Sequence, residues 1–263
     1  MSKISAITNN PAADPNITYV YGGDNQGNLW RFDFTDVTIP VLKMATLGAG
    51  QPITTRPDVA LCEAGAGLKR VVLLGTGRLL GVSDTTTTGT ESVYLVKDSD
   101  TALGALSGSG TMVKQTLSVI SGTGGAAYTI TNNAVNLNTK NGWYVDLTLN
   151  SGERVNLDPK IVFATAVVVS NLPTSATACT VGGTSYNYQF DLCSGSFVQA
   201  SSNNQVGGVL SSSSAAVGFI VVKLPSGTIK MITTTADGSK LTSSIKATAS
   251  SAPRKSGWRS VRN

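Results

Sequence analysis

Because the 263-residue chain contains no histidine, its carboxylates are the first candidates for catalytic or metal-binding groups. That absence excludes Ser-His-Asp and Cys-His catalysis and every imidazole metal site. Asp24 and Asp33 lie in one densely patterned stretch, residues 19–33, but no cluster of acids surrounds them in the sequence. We therefore interpret both as turn and hairpin residues whose side chains accept backbone N–H groups, and not as an acid–base pair.

A second set of oxygen side chains precedes that stretch. Asp14, Asn16 and Thr18 occupy alternate positions, and alternating oxygen ligands are how a calcium loop begins. Such a loop also needs a glycine turn and a closing acid at the right distance, and neither is present. Two interpretations stay open: a degenerate calcium loop with Asp14 and Asn16 as ligands, or a polar entry loop that binds no metal.

Three cysteines allow at most one internal disulfide. Cys179 and Cys193 flank residues 181–191, which are predicted to form a turn and then a strand. A disulfide between them requires their Cα atoms to lie about 4.4–6.8 Å apart. The alternative is two free buried thiols, and Cys62 is left over in either case.

Two short motifs have the residues of known sites but lack their context. Residues 75–81 follow G-x-G-x-x-x-G, which is one residue longer than the dinucleotide fingerprint, and no amphipathic helix or acidic ribose partner follows. Ser243 and Lys246 form an S-x-x-K in a Ser/Thr-rich tail without a second catalytic element. The sequence therefore predicts neither a nucleotide site nor a serine nucleophile.

Charge and hydropathy limit the partners. The net charge of +5 rests partly on four basic residues among the last ten, and no basic stripe with interleaved aromatics indicates nucleic acid. No run approaches the ~18 apolar residues of a membrane span, and no signal peptide opens the chain. Only 13% of residues are charged and Gly, Ser and Thr abound, which is typical of turn-rich extracellular β proteins. We therefore expect a further N-terminal part, with its signal, upstream of Met1.

The patterned stretch predicts a β-hairpin. Tyr19 and Tyr21 alternate with Val20, so this segment is expected to be a strand with an aromatic face. Residues 22–28 supply the Gly, Asn and Asp of a tight turn, and residues 29–34 alternate as a second strand. An isolated hairpin is marginal in water, so its aromatics need a neighbouring sheet.

The remaining pattern predicts more strand–turn–strand units. The main further strands are predicted at residues 70–75, 92–97, 142–147, 161–169, 184–192, 217–224 and 228–233. No ten-residue window has a convincing helical period, and residues 199–216 are predicted to be a linker. Units with glycine and aromatic marks are typical of propeller blades, whereas a sandwich is the competing architecture. The predicted fold is all-β, a partial (modified) β-propeller of about four blade-like antiparallel units with little or no helix.

The hairpin also carries a family resemblance. Residues 21–33, YGGDNQGNLWRFD, closely resemble the Y-A-G-D-x-x-G-N-L-W-R-F-D signature of the PilY/PilC family. The matching residues are Tyr21, Gly23, Asp24, Gly27, Asn28, Leu29, Trp30, Arg31 and Asp33. Further segments match in the family's order: 51–57 (QPITTRP), 74–80 (LGTGRLL), 142–147 with 152–155 (GWYVDL and GERV), 182–185 and 256–259.

The resemblance implies a fold and a context. Members of this family are type IV pilus biogenesis factors and tip-associated adhesins, whose C-terminal part is a modified β-propeller. By this resemblance, residues 1–17 are a polar entry loop, 18–235 are the C-terminal blades and 236–263 are an irregular tail. Some members bind Ca²⁺ just before the signature hairpin, but at residues 14–22 the central glycine and the two later acids are missing.

The function expected from the resemblance is non-enzymatic: pilus extension against retraction, surface attachment and twitching motility. The expected partners are pilins, minor pilins, or a host or abiotic surface. The expected location is the cell surface, pilus tip, outer membrane or periplasm of a Gram-negative bacterium. A quinoprotein-like propeller enzyme and a passive structural fragment are the alternatives. In each case, open sheet edges are expected to pair with upstream blades or with another chain.

Overall fold

Strands account for nearly all the regular structure of the chain. The structure, a computed structural model, describes residues 2–8, 15–38, 40–48, 50–65, 67–174, 182–198 and 202–246. Nineteen strands in these ranges form four sheets, and the helical segments there are two short 3₁₀ turns, Val82–Thr86 and Ser202–Asn204. The predicted all-β, partial-propeller fold with about four blade-like units is confirmed.

Sheets I and II contain the signature hairpin and the most apolar strands of the first half. Sheet I has the order β1 (Ile4–Ile7), β2 (Tyr19–Gly23), β3 (Asn28–Asp33), β4 (Val41–Thr46), β8 (Gly104–Ala105). Sheet II has the order β5 (Asp58–Ala64), β6 (Gly67–Gly75), β7 (Ser92–Lys97), β12 (Gly142–Asp146), β9 (Val113–Gln115). The run predicted at 70–75 as a central strand lies inside β6, which pairs on both sides.

Sheets III and IV differ in size. Sheet III has the order β10 (Leu117–Val119), β11 (Ala127–Ile130), β16 (Gln205–Ser211), β15 (Gly183–Asp191), β14 (Thr165–Pro173), β13 (Lys160–Val162). Sheet IV has only β17 (Ala216–Lys223), β18 (Ile229–Thr235) and β19 (Lys240–Ser244) among the described residues. The final hairpin predicted from residue 217 onward is confirmed by the pairing of β17 with β18.

Each pair of neighbouring sheets encloses a hydrophobic core. The period of two along each strand sends alternate side chains to opposite faces, so one sheet can serve two cores. In β6, Val72 and Leu74 face sheet I, while Val71 and Leu73 face sheet III. The core between sheets III and IV is the smallest and centres on Met231. The sheets therefore follow one another in the order I, II, III, IV, as blades do.

Three predicted irregular regions contain strands. β1 lies within the predicted entry loop 1–17, β16 within the predicted linker 199–216, and β19 within the predicted tail. Those predictions are wrong for these segments, because pairing with a neighbouring strand stabilises sequences whose own strand preference is weak. β16, for example, is rich in glycine and serine but pairs with both β11 and β15.

Candidate functional site

Asp24 organises the turn of the signature hairpin. Its carboxylate accepts four N–H groups at 2.9 Å each: two backbone groups, of Gln26 and Asn28, and two side-chain groups, Asn28 Nδ2 and Trp30 Nε1. Desolvation opposes ionisation of Asp24, but these donors outweigh it and lower the pKa of the carboxyl. Asp24 is therefore a saturated hydrogen-bond acceptor, as predicted for a turn residue.

Two glycines of the signature are required by geometry. Gly27 has a φ of +77°, which L side chains rarely adopt. A Cβ on Gly23 would lie 2.2 Å from Ile53 Cγ2, so only glycine lets β2 approach this buried side chain. The backbone N–H of Ile53 also donates to Asp24 O at 2.9 Å. These contacts join the signature hairpin to the QPITTRP segment.

Arg31 connects sheet I to sheet II through a buried carboxylate. Arg31 Nη1 lies 3.1 Å from Asp98 Oδ1, and Tyr21 donates its hydroxyl to Asp98 Oδ2 at 2.6 Å. Arg70 Nε is also 3.1 Å from Asp98, and Arg31 and Arg70 both pair with Asp100. Burial disfavours the charge on Asp98, but Tyr21 and the two arginines reverse this and lower its pKa.

The aromatics of the hairpin divide between two faces. Tyr21 is fully buried between sheets I and II, and the Tyr19 ring lies against the guanidinium carbons of Arg70 and Arg31 at 4.1 and 4.9 Å. Trp30 and Phe32 are half-buried on the opposite face of β3. Asp33, at the end of β3, accepts hydrogen bonds from the backbone N–H and the hydroxyl of Thr35. Only part of the aromatic set is therefore covered by a neighbouring described sheet.

The GERV segment anchors a surface loop. The buried guanidinium of Arg154 makes five hydrogen bonds, all to main-chain or hydroxyl oxygens: Gly152 O, Arg78 O, Asp84 O, Thr87 Oγ1 and Thr87 O. From the other side, Asp84 accepts from Arg78 Nε and from the N–H groups of Leu80 and Gly81. The glycine-rich segment 75–81 thus leads into a loop held by two charged side chains.

Glu153 lies on the opposite side of the same segment, in the core between sheets II and III. It is fully buried and accepts from Ser170 Oγ, Tyr188 Oη and Asn150 Nδ2 at 2.5, 2.8 and 2.9 Å. Burial raises the pKa of this carboxyl despite those three donors. These three partners are hydroxyl and amide groups of the surrounding core, as for a structural carboxyl.

A polar cavity of about 320 Å³ provides a test for catalytic chemistry. Its groups bond to one another: Tyr94 Oη donates to Gln51 Oε1 at 2.6 Å, Gln51 Nε2 to Ser92 Oγ at 2.9 Å, and Ser92 Oγ to Asp146 at 2.7 Å. Lys114 also pairs with Asp146 at 2.7 Å. The Asp146 carboxylate in the cavity lining is thus engaged at both oxygens, as in a structural network.

The cysteine prediction is corrected by the structure. Cys193 forms a disulfide with Cys62, with Cα atoms 5.7 Å apart, and not with Cys179. The predicted Cys179–Cys193 pairing is wrong because β5 of sheet II and the turn after β15 of sheet III meet in the shared core, although they are 131 residues apart. Cys179 lies outside the described residues.

The predicted calcium ligands are only partly described. Asp14 lies outside the described residues, and Asn16 is exposed. Within the described ranges, no three His, Cys, Asp or Glu side chains are grouped as a metal site would need. No helix in the same ranges is long and apolar enough to cross a membrane.

Sequence reasoning found the signature residues but missed their partners. Asp98 is 67 residues from Arg31, and only the meeting of sheets I and II brings the two together, whereas Asp84 is six residues from Arg78 in one loop. The signal that could have indicated Asp98 is a carboxylate directly after a strongly apolar strand, as it follows β7.

No protein-family model matches the chain. Two Xylella fastidiosa proteins, each named a type IV pilus biogenesis factor PilY1 homolog, match it. One is 29% identical over 175 residues, covering 64% of this chain and 14% of the relative. The other is 24% identical over 200 residues, covering 68% of this chain and 13% of the relative. The chain therefore spans about one seventh of the length of these relatives.

The fold has a solved counterpart. The crystal structure of the Pseudomonas aeruginosa PilY1 C-terminal domain aligns with a TM-score of 0.65 and 21% identity, covering 91% of this chain and 59% of that one. The chain therefore has the fold of a propeller-type C-terminal domain. The named homologs and this fold together support the predicted resemblance to the PilY1 C-terminal propeller region.

Proposed function

We propose that this chain is the C-terminal propeller part of a non-enzymatic type IV pilus factor that supports pilus extension, surface attachment and twitching. The observation that carries the proposal is the position of the shared motifs. Asp24 and Arg31, from the signature hairpin, and Arg154, from the GERV segment, each form a hydrogen-bond network that joins strands or loops. The likeness to the pilus factors thus lies in the residues that determine the fold.

A location in the periplasm or at the cell surface of a Gram-negative bacterium fits the covalent structure. The Cys62–Cys193 disulfide is of the kind that persists in oxidising compartments and is rare in the cytosol. Calcium is not part of the proposed function, because residues 14–22 lack the central glycine and later acids of the family's loop.

The proposed contact with a pilus subunit is the loop held by Arg154 and Asp84. This loop exposes Leu80 at 73% and Val82 at 87% of their surface. Apolar side chains presented by a fixed backbone lose little conformational freedom on binding, which favours affinity. The partner would be a pilin or minor pilin with an apolar pocket for these two side chains.

Complementation tests the proposal. A bacterium that forms type IV pili is first deleted for its own PilY1-type protein and then supplied with a chimera of that protein, in which this chain replaces the corresponding C-terminal region. Surface pili and twitching zones are then measured. We expect both to return, and we expect an Asp24→Ala version to lose them in proportion to its loss of folded protein. A stable, secreted chimera that restores no pili would contradict the proposal.

A second chimera tests the contact loop separately. Leu80→Ser with Val82→Ser removes the exposed apolar pair without touching Arg154 or Asp84. We expect an unchanged melting temperature and at least a several-fold drop in surface pili. The matched control is Val37→Ser, which changes another exposed valine (96%) in the connection between β3 and β4 of sheet I. This control should have no effect on surface pili. Equal piliation in both would refute the loop contact while leaving the pilus role intact.

A further inference from the structure

Sheet IV covers only part of sheet III. Six strands of sheet III face the three described strands of sheet IV. Val167 and Val169 of β14 pack against Phe219 and Met231. Beyond β19 the two sheets enclose a groove of about 270 Å³, lined on sheet III by β15 and β16 and on sheet IV by the end of β19. A strand added beside β19 would lie in this groove.

The groove contains buried polar atoms that need a partner. Asn187 Oδ1 and Ser243 Oγ are both inaccessible to solvent and have no hydrogen-bond partner among the described residues, and both residues line the groove. Their neighbour Gln189 is satisfied, because it donates to Ser244 O at 3.1 Å and accepts from Lys246 N at 2.8 Å. Unsatisfied buried polar groups are rare and costly, so a ligand that supplies a donor to Asn187 would be favoured.

The edge of β19 is suited to a strand. Within the described part of the chain, β19 pairs with β18 alone. Its other side therefore offers main-chain N–H and C=O groups, apart from Ser244 O and the Lys246 N–H beyond its end, which bond to Gln189. Gly207 and Gly208 form part of the groove floor, where a Cβ on either would lie within 2.3 Å of a neighbouring backbone oxygen. Propeller blades usually contain four strands, one more than sheet IV has.

The charges at this edge favour an acidic partner. Lys240 begins β19, Lys246 lies two residues beyond its end, and Lys230 Nζ donates to Ser244 Oγ at 2.7 Å. The nearest described acid along the chain, Asp237, is engaged with Thr235 and Ser239 in the turn before β19. A segment carrying carboxylates would thus meet positive charge along the strand.

We propose that the groove between β16 and β19 binds an extended acidic segment of another protein as a fourth strand of sheet IV. The segment hydrogen-bonds along β19, and one of its polar hydrogens satisfies Asn187 Oδ1. This mode of recognition combines main-chain bonds for affinity with side-chain pockets for specificity. The proposal goes beyond the pilus role and does not depend on it.

Peptide binding to the full chain tests the proposal. The probe is a fluorescent eight-residue peptide that alternates valine with glutamate, and its control alternates valine with lysine. We expect saturable binding of the acidic peptide, detected by fluorescence anisotropy, and at least tenfold weaker binding of the lysine peptide. Binding of both peptides with equal affinity, or no saturable binding, overturns the proposal.

A substitution with opposite effects on stability and binding sharpens the test. Asn187→Leu replaces the unpartnered amide with an apolar side chain of nearly the same size and shape. We expect an equal or higher melting temperature together with at least a tenfold loss of peptide affinity. Thr234→Leu, on the outer face of β18, is the matched control and should leave affinity unchanged. Unchanged affinity in Asn187→Leu overturns the proposal.

Amide exchange distinguishes the occupant. In the free chain at low concentration, we expect the Thr242 and Ser244 amides to exchange fast and to become protected when the acidic peptide is added. Protection in the dilute chain alone would mean that this chain fills its own groove. Protection that rises with the chain's own concentration would mean that a second copy fills it. Either result overturns the proposal.

Discussion

The interface between sheets II and III and the interface between sheets III and IV use different means to hold two blades together. The first buries Trp143, Tyr188 and Phe190 completely and is crossed by the Cys62–Cys193 disulfide. The second has a small aliphatic core with Phe219 at its margin and leaves a polar groove beside it. The interface between sheets II and III is therefore fixed covalently, while the interface between sheets III and IV leaves room for a ligand beside it.

The largest expected effect is at Trp143. Its ring is fully buried, 5.8 Å from Phe190 in an edge-on arrangement, and its Nε1 donates to Leu192 O at 2.8 Å. Trp143→Ala leaves a cavity and an unpaired carbonyl, so we expect a loss of about 4 kcal/mol in the free energy of unfolding. Urea unfolding followed by circular dichroism measures it. A loss below about 1 kcal/mol would mean that this interface is not the main source of stability.

Removing the disulfide is expected to have the next largest effect. Cys62→Ala with Cys193→Ala frees a loop whose ends are 131 residues apart, and we expect a loss of about 3 kcal/mol. Reductant should destabilise the unmodified chain similarly and leave the double variant unaffected. Cys179→Ser is the matched control and should keep the reductant response. Loss of that response in Cys179→Ser would restore the pairing first predicted from the sequence.

Phe219 supplies the corresponding test at the last interface. It is 9% exposed and lies below Lys160, whose Nζ is 5.3 Å from the ring centre. We expect Phe219→Ala to cost about 2 kcal/mol, less than a deeply buried ring, because its site is at the edge of the core. Hydrogen exchange should accelerate in sheet IV and remain slow in sheet II. Acceleration throughout all four sheets would show that the two interfaces unfold as one unit.

The smallest expected effect is a pH dependence at Glu91, beside Arg154. Burial raises the pKa of Glu91 from 4.5 to about 6, and its Oε2 has no hydrogen-bond partner in the described part of the chain. The folded state therefore binds this proton more tightly than the unfolded state. The associated stability is complete below about pH 4.5 and is lost as the pH rises through about 6.

Glu91→Gln removes this titration. We expect the variant to gain about 1 kcal/mol over the unmodified chain at pH 8, after allowance for partial exposure, and nothing at pH 4. The melting temperatures of both chains from pH 4 to pH 8 measure the difference. The pKa of Asp98 is lowered, so the stability that this carboxylate contributes is lost only as the pH falls below about 4. A difference that does not change with pH would falsify the assignment to Glu91.

The sequence predicted the parts of the fold that local pattern determines. The hairpin at residues 19–33, the β6 strand and the final hairpin all have alternating or continuous apolar residues bounded by turn residues, and all form as predicted. β16 and β19 were missed because their serines, threonines and glycines have little strand preference of their own. Strand pairing, which a single sequence does not reveal, supplies their stability.

In the candidate site, too, the sequence predicted local contacts but not the contacts between distant residues. The turn role of Asp24 depends on residues within six positions, so its neighbourhood in sequence was enough to predict it. The partners of Arg31 and Cys193 are 67 and 131 residues away. Such contacts depend on which sheets meet, and proximity in sequence indicated Cys179 instead.

The cross-link between β5 and the turn after β15 has a mechanical consequence. When the chain is pulled from its two ends, tension passes directly from Cys62 to Cys193 and bypasses the segment between them. That segment, 131 residues in length, would otherwise lengthen by about 440 Å if it unravelled. Sheet II and much of sheet III are thus shielded from stretching. Under load, the hairpin of sheet I and the strands of sheet IV would extend first, while the centre keeps its shape.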